Sequence, residues 1–112
     1  MKISARHQSG VTVLEPKGKI TIGAGDIALR EAVLEALEAG SRDILFNMEH
    51  VTTIDSSGIG ELVSAYTTVS NRGGRLKLLG LPPKVQDLLQ ITQLVTVFEI
   101  FEDESEAISS FE

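Results

Sequence analysis

Two stretches with helical periodicity, each followed within a few residues by a short apolar run, constrain the fold more than any other feature of this chain. From Asp26 to Ala39 the apolar residues Leu29, Ala32, Val33, Ala36 and Leu37 recur at helical spacing, with Arg30, Glu31, Glu35 and Glu38 on the other side and Gly40 as a stop. Ile44 to Met48 then carries little polarity between Ser41-Arg42-Asp43 and Glu49-His50, which predicts a central strand covered on both faces. A second helix starts near Ser56 or Ser57, runs to about Arg72 and closes on Gly73-Gly74, and Arg75 to Leu79 follows as a strand. Strand, helix, strand implies a parallel pair, because parallel neighbours need a long crossover between them.

The flanking segments complete the expectation. Lys2 to His7 and Val11 to Glu15 both alternate polar and apolar residues around Gln8-Ser9-Gly10, as in a hairpin. Pro16-Lys17-Gly18 should interrupt the second strand with a bulge or bend, after which Lys19 to Ile22 resumes it before the Gly23-Ala24-Gly25 turn. Pro82-Pro83 opens a third helix through Gln90, Val97 to Phe101 reads as a last strand, and Glu102 to Glu112 as a helix docked through Ala107, Ile108 and Phe111. The expected architecture is one α/β domain over residues 1–112, a mixed sheet of about five strands with about four helices packed mostly on one face.

Composition removes several classes of function. A length of 112 residues suits one core and leaves no room for a separate catalytic module. The formal charge of −6, with ten scattered Lys and Arg residues, argues against direct nucleic-acid binding. No apolar run approaches the length of a membrane span and the first residues lack a signal-peptide core, so the expectation is a cytoplasmic protein without membrane contact. Zero cysteines remove thiol chemistry, and two histidines leave little for zinc, so no cofactor or metal is expected. Oligomeric state is not legible.

The most informative local feature is Ile54-Asp55-Ser56-Ser57-Gly58-Ile59-Gly60, in which an acid, two hydroxyls and two glycines sit where the second helix begins. Unpaired backbone N–H groups and the positive end of the helix dipole can accommodate an added negative charge there. Helical geometry sets Ile59, Leu62, Val63 and Tyr66 in the core-facing stripe, with Val69 at its edge. It sets Ser57 opposite, sharing a small polar face with Gly60, Glu61, Ser64, Thr68 and Asn71. Gly58 and Gly60 each cost up to about 1 kcal/mol relative to alanine, so something should require an approachable backbone, and a docking partner is one such thing. The residues alone also fit a plainer reading, in which Asp55 or Ser56 caps the helix and Ser57 is an ordinary first-turn residue.

The run Val51 to Gly60, preceded by the apolar strand and by the helix that ends at Gly40, resembles the STAS domains of bacterial anti-sigma factor antagonists, and the resemblance covers essentially the whole chain. It implies a non-enzymatic signalling protein. By that resemblance Ser57 is the phosphoacceptor for an anti-sigma factor that is itself an ATP-dependent serine/threonine kinase. The unphosphorylated form binds the kinase and frees a sigma factor, and a PP2C-type phosphatase restores it. Asp55 matches an aspartate that supports phosphorylation and binding, with Ser56, Gly58, Gly60, Glu61, Ser64, Thr21, Gly23 and Asn47 as further phosphosite-support and partner-binding candidates. Asn47 stands where the family often has aspartate and Thr21 where an acid is common, both near the expected partner edge. STAS domains also serve as non-switching subunits of larger signalling or transport assemblies, which remains an alternative.

Weaker signals point elsewhere. Gly23-Ala24-Gly25-Asp26-Ile27-Ala28 fits a dinucleotide-binding pattern between strand and helix, but such short matches are often accidental, the chain is too small for the two halves of that fold, and a flexible turn before a helix explains the glycines. His7 and His50 could join Ser57 and Asp55 in a hydrolase site, but no Gly-x-Ser-x-Gly elbow is present. Glu102-Asp103-Glu104 reads as a solvated helix start rather than a metal cage. Lys17 and Lys19 make no phosphate loop.

Overall fold

In the computed structural model, residues 2–112 are described. The hairpin forms as β1 (Lys2–Gln8) and β2 (Val11–Ile20), paired antiparallel from Lys2 opposite Lys17 to Gln8 opposite Val11. The reversal at Ser9 and Gly10 uses positive φ at both residues, which suits the twist of a tight hairpin. After α1 (Ala24–Glu38) come β3 (Asp43–Asn47), β4 (Val51–Ile54), α2 (Ser56–Asn71), β5 (Arg75–Leu79), α3 (Pro83–Ile91), β6 (Ile100–Phe101) and α4 (Glu104–Ser109). Strand order is β1-β2-β3-β5-β6, and every pairing beyond the hairpin is parallel.

β2 is one continuous strand rather than two. Its first half pairs with β3, its last residues Gly18 to Ile20 pair with β4, and the register shifts between Gly18 and Lys19. The bulge anticipated at Pro16-Lys17-Gly18 therefore bends β2 without ending it, while Thr21 and Ile22 fall outside the strand. β4 raises the sheet to six strands. Val51-Thr52-Thr53-Ile54 shows no clean alternation because its two threonines are both exposed.

β3 lies between β2 and β5 with Ile44, Leu45 and Phe46 fully buried, as its lack of polarity predicted. Ile44 and Phe46 belong to a core shared with α1, α2 and α3, whereas Leu45 joins Val11, Val13 and Leu79 under Ala107, Ile108 and Phe111. Three helices thus cover one face of the sheet, and α4 covers part of the other. Full burial of a side chain such as Phe46 or Leu62 contributes roughly 1.5–3 kcal/mol.

Two expectations are corrected. The strand expected at Val97–Phe101 shrinks to Ile100–Phe101, preceded by a 3-10 turn at Leu94–Thr96. Gln93 adopts a left-handed φ of 63° that turns the chain, and Phe98 then enters the core edge-on to Tyr66 with ring centroids 5.4 Å apart. The buried stripe of α2 is also rotated toward α1. It comprises Gly58, Ile59, Glu61, Leu62, Ala65 and Val69, leaving Val63 and Tyr66 half-buried.

Candidate functional site

The turn into α2 is organised by one carboxylate. Asp55, in extended backbone, caps the helix as Oδ1 accepts from the Gly58 N–H at 2.9 Å. Its Oδ2 accepts from the Ile22 N–H at 3.0 Å, so the same side chain holds the β2–α1 turn against the start of α2. These N–H donors, Gly58 first and Ile22 second, hold the Asp55 carboxyl below the usual aspartate range. Ser56 is exposed and Ser57 half-buried in the first turn of the capped helix. Asp55, Ser56, Ser57 and the Thr21–Gly23 turn are therefore brought together.

The glycines divide into two kinds. A Cβ on Gly58 would collide with the Ile20 carbonyl and lie 2.7 Å from Ile54 Cγ1, so this glycine lets α2 pack on β2 and β4 rather than on a docking partner. Gly60 meets nothing within 4 Å and is exposed, which keeps it on the outer face as expected. In the Gly23-Ala24-Gly25 turn, Gly23 has φ +99°, and a Cβ on Gly25 would strike the Lys19 carbonyl. Both glycines of the dinucleotide-like pattern are thus required by the path of the chain.

Glu61 is the clearest departure from expectation. It is 8% exposed, not on an open polar face, and both its oxygens accept from Arg30 of α1, Nε to Oε1 at 3.1 Å and Nη2 to Oε2 at 3.0 Å. Ser64 is exposed beside this pair and lines a groove between α1 and α2 with Arg30, Leu34 and Thr68. Asn47 is also buried, and its Oδ1 accepts from the Glu49 N–H at 3.1 Å, forming the turn after β3 rather than standing open to a partner.

The alternative sites do not assemble. His7 lies on β1 with Nδ1 3.2 Å from Thr12 Oγ1, and His50 is an exposed turn residue after β3. Asp103 caps α4 by accepting from the Glu106 N–H at 3.0 Å, as expected of a helix start. Among the described residues no cluster of His, Cys, Asp or Glu could hold a metal ion, and no helix is long and apolar enough to cross a membrane.

Sequence reasoning missed Ile22 and Arg30. Ile22 is 76% exposed beside the capped turn, where an isoleucine at the end of a strand pattern reads as core. Arg30 reads as an ordinary solvated helix residue, and no local pattern links it to a partner in the next helix.

Comparison with known proteins gives the family. The STAS domain family matches residues 2–107. The anti-sigma F factor antagonist of Paenibacillus polymyxa is 24% identical over 113 residues, covering 100% of this chain and 96% of that one. The crystal structure of TM1081 from Thermotoga maritima superposes with a TM-score of 0.89 at 24% identity, over 97% of this chain and 93% of that one. The Bacillus cell fate determinant SpoIIAA, solved in its phosphorylated form, superposes with a TM-score of 0.75 at 21% identity over 99% and 100%. This chain belongs to the STAS domain family, and anti-sigma factor antagonists are its relatives.

Proposed function

We propose that this domain binds an anti-sigma serine/threonine kinase in place of a sigma factor, and that phosphorylation of Ser57 by that kinase ends the binding until a PP2C-type phosphatase removes the phosphate. The observation that carries this reading is the placement of Ser57. It sits half-buried in the first turn of α2, where Asp55 spends its carboxylate on the Gly58 and Ile22 N–H groups and the helix N-terminus can support added charge. A phosphate there adds about −1.5 to −2 charges without breaking the buried face of the helix. A partner built around a neutral serine would instead have to bury a dianion away from water. The switch then acts on the interface and leaves the fold intact.

Family membership supports the reading, as do relatives that carry the antagonist name and a structural neighbour solved phosphorylated. In this account the domain is a substrate and a ligand rather than an enzyme, and it works in the cytoplasm beside the transcription machinery. The test is incubation with the cognate kinase and ATP followed by peptide mass mapping. Phosphate on Ser57 is expected; phosphate on another residue, or none with an active kinase, contradicts the mechanism.

A further inference from the structure

Ser57, Glu61, Ser64 and Thr68 fall on one strip of α2, because residues three and four apart share a helix face. The last three line a groove of about 150 Å³ between the helices, facing Arg30 and Leu34 of α1. Ser57 extends the same strip by one turn toward the helix start. The Arg30 to Glu61 pair crosses the seam, and its two members differ in freedom: the Glu61 side chain is 10% exposed and the Arg30 side chain 56%. The carboxylate is fixed by packing, while the guanidinium lies at the mouth.

The pair leaves Arg30 with unused capacity. Nε and Nη2 are engaged by Glu61, whereas Nη1 donates to nothing among the described residues. Ahead of Arg30 on α1, Asp26 carries a buried Oδ1 without a hydrogen-bond partner among the described residues. Glu61 first, and Asp26 to a lesser degree, favour the charged form of Arg30. The seam next to Ser57 therefore holds two acids and one cation, and the cation has a free donor edge.

We infer that Arg30 is the intramolecular ligand of the phosphoryl group on Ser57, holding Glu61 with one edge of its guanidinium and the phosphate with the other. The inference rests on the reading of Ser57 as the phosphoacceptor. A planar guanidinium can serve two oxyanions at once, which a lysine ammonium does less well. Phosphorylation then has an internal consequence. The new dianion is neutralised in part by the domain itself, Arg30 is immobilised across the α1–α2 groove, and the phosphorylated form is no less stable for carrying the charge beside Glu61 and Asp26.

The test installs phosphoserine at position 57 during synthesis of the full chain, so that no kinase is needed, and follows the phosphate by ³¹P NMR against pH. With Arg30 present, the second ionisation of the phosphate should fall at least about half a pH unit below its value in Arg30→Gln, since a cation in contact favours the dianion. Arg30→Lys should lie between. The groups acting on Arg30, namely Glu61, Asp26 and Glu31, and the capping Asp55 next to Ser57 in the chain are the same in all three chains, so a difference between them reports on residue 30. Equal midpoints in the intact chain and in Arg30→Gln overturn the inference. If Arg30 were only a strut, its replacement would lower the melting temperature and leave the phosphate midpoint in place. Failure of the kinase assay alongside a shifted midpoint would remove the functional reading and leave Arg30 as a phosphate ligand; the opposite pair of results would do the reverse.

Discussion

Asp55 is where sequence and local structure meet at the scale of one residue. Its two oxygens cap α2 through Gly58 and clamp the turn at Ile22, so replacing it removes two hydrogen bonds and frees two segments around Ser57. Asp55→Ala should lower the melting temperature by about 5 °C, read by circular dichroism. The pH dependence has a definite sign. Because the folded-state pKa is lowered, the contribution is present above the ordinary aspartate value of about 3.9 and is lost as pH falls through the lower folded value. The stability gap between the intact chain and Asp55→Ala should therefore be constant near neutrality and close in acid. A gap that widened in acid would contradict the assignment. The cap was legible in the sequence, as an acid before a hydroxyl-rich helix start; its second bond to Ile22, 33 residues away, was not.

At the scale of the element, α2 shows why two glycines of the same type cannot be told apart by pattern. Gly58 packs against the Ile20 backbone and Gly60 faces open space, yet each is a glycine in the first turns of one helix. Gly58→Ala should destabilise by about 1–3 kcal/mol, since the backbone it meets cannot yield like a flexible side chain. Gly60→Ala should be neutral or stabilise by up to about 1 kcal/mol through helix propensity. Urea unfolding of the pair checks both, and equal effects would refute the distinction. The rotation of the buried stripe has the same origin. Amphipathic spacing defined a helix with an apolar side, but Glu61 could be placed inward only by knowing that Arg30 lies across the seam. The short last strand was lost in a similar way, because Phe98 reads as one step of an alternating pattern and instead fills the core beside Tyr66.

For the whole molecule, the parallel pairing of β2 with β4, Ile20 beside Ile54, brings the turn before α1 and the turn before α2 to one end of the sheet, and this juxtaposition builds the candidate site. The α/β class followed from the succession of periods, since helices between strands leave few other topologies. The position of α4 on the opposite face did not, because Ala107, Ile108 and Phe111 specify an apolar side without naming the sheet face it covers. That helix is held at its edges as well. Arg6 of β1 bonds both Glu15 and Glu104, and Lys77 donates to the Ser110 carbonyl at 2.9 Å with its ammonium 4.6 Å from the centre of the Phe111 ring. Phe111→Ala should cost about 3–5 kcal/mol in urea unfolding, a large share of the stability of a domain this size, with Ser57 untouched. A loss below about 1 kcal/mol would mean that α4 is dispensable to the second core.

The central claim is that charge on Ser57 decides whether the outer face of α2 can be covered by its partner. Calorimetric titration of the cognate anti-sigma kinase with the chain carrying serine or phosphoserine at position 57 tests it most directly. Phosphoserine should weaken binding by about 100-fold or more, because a dianion must be buried where the partner fits a neutral serine. Equal affinity for the two chains would contradict it.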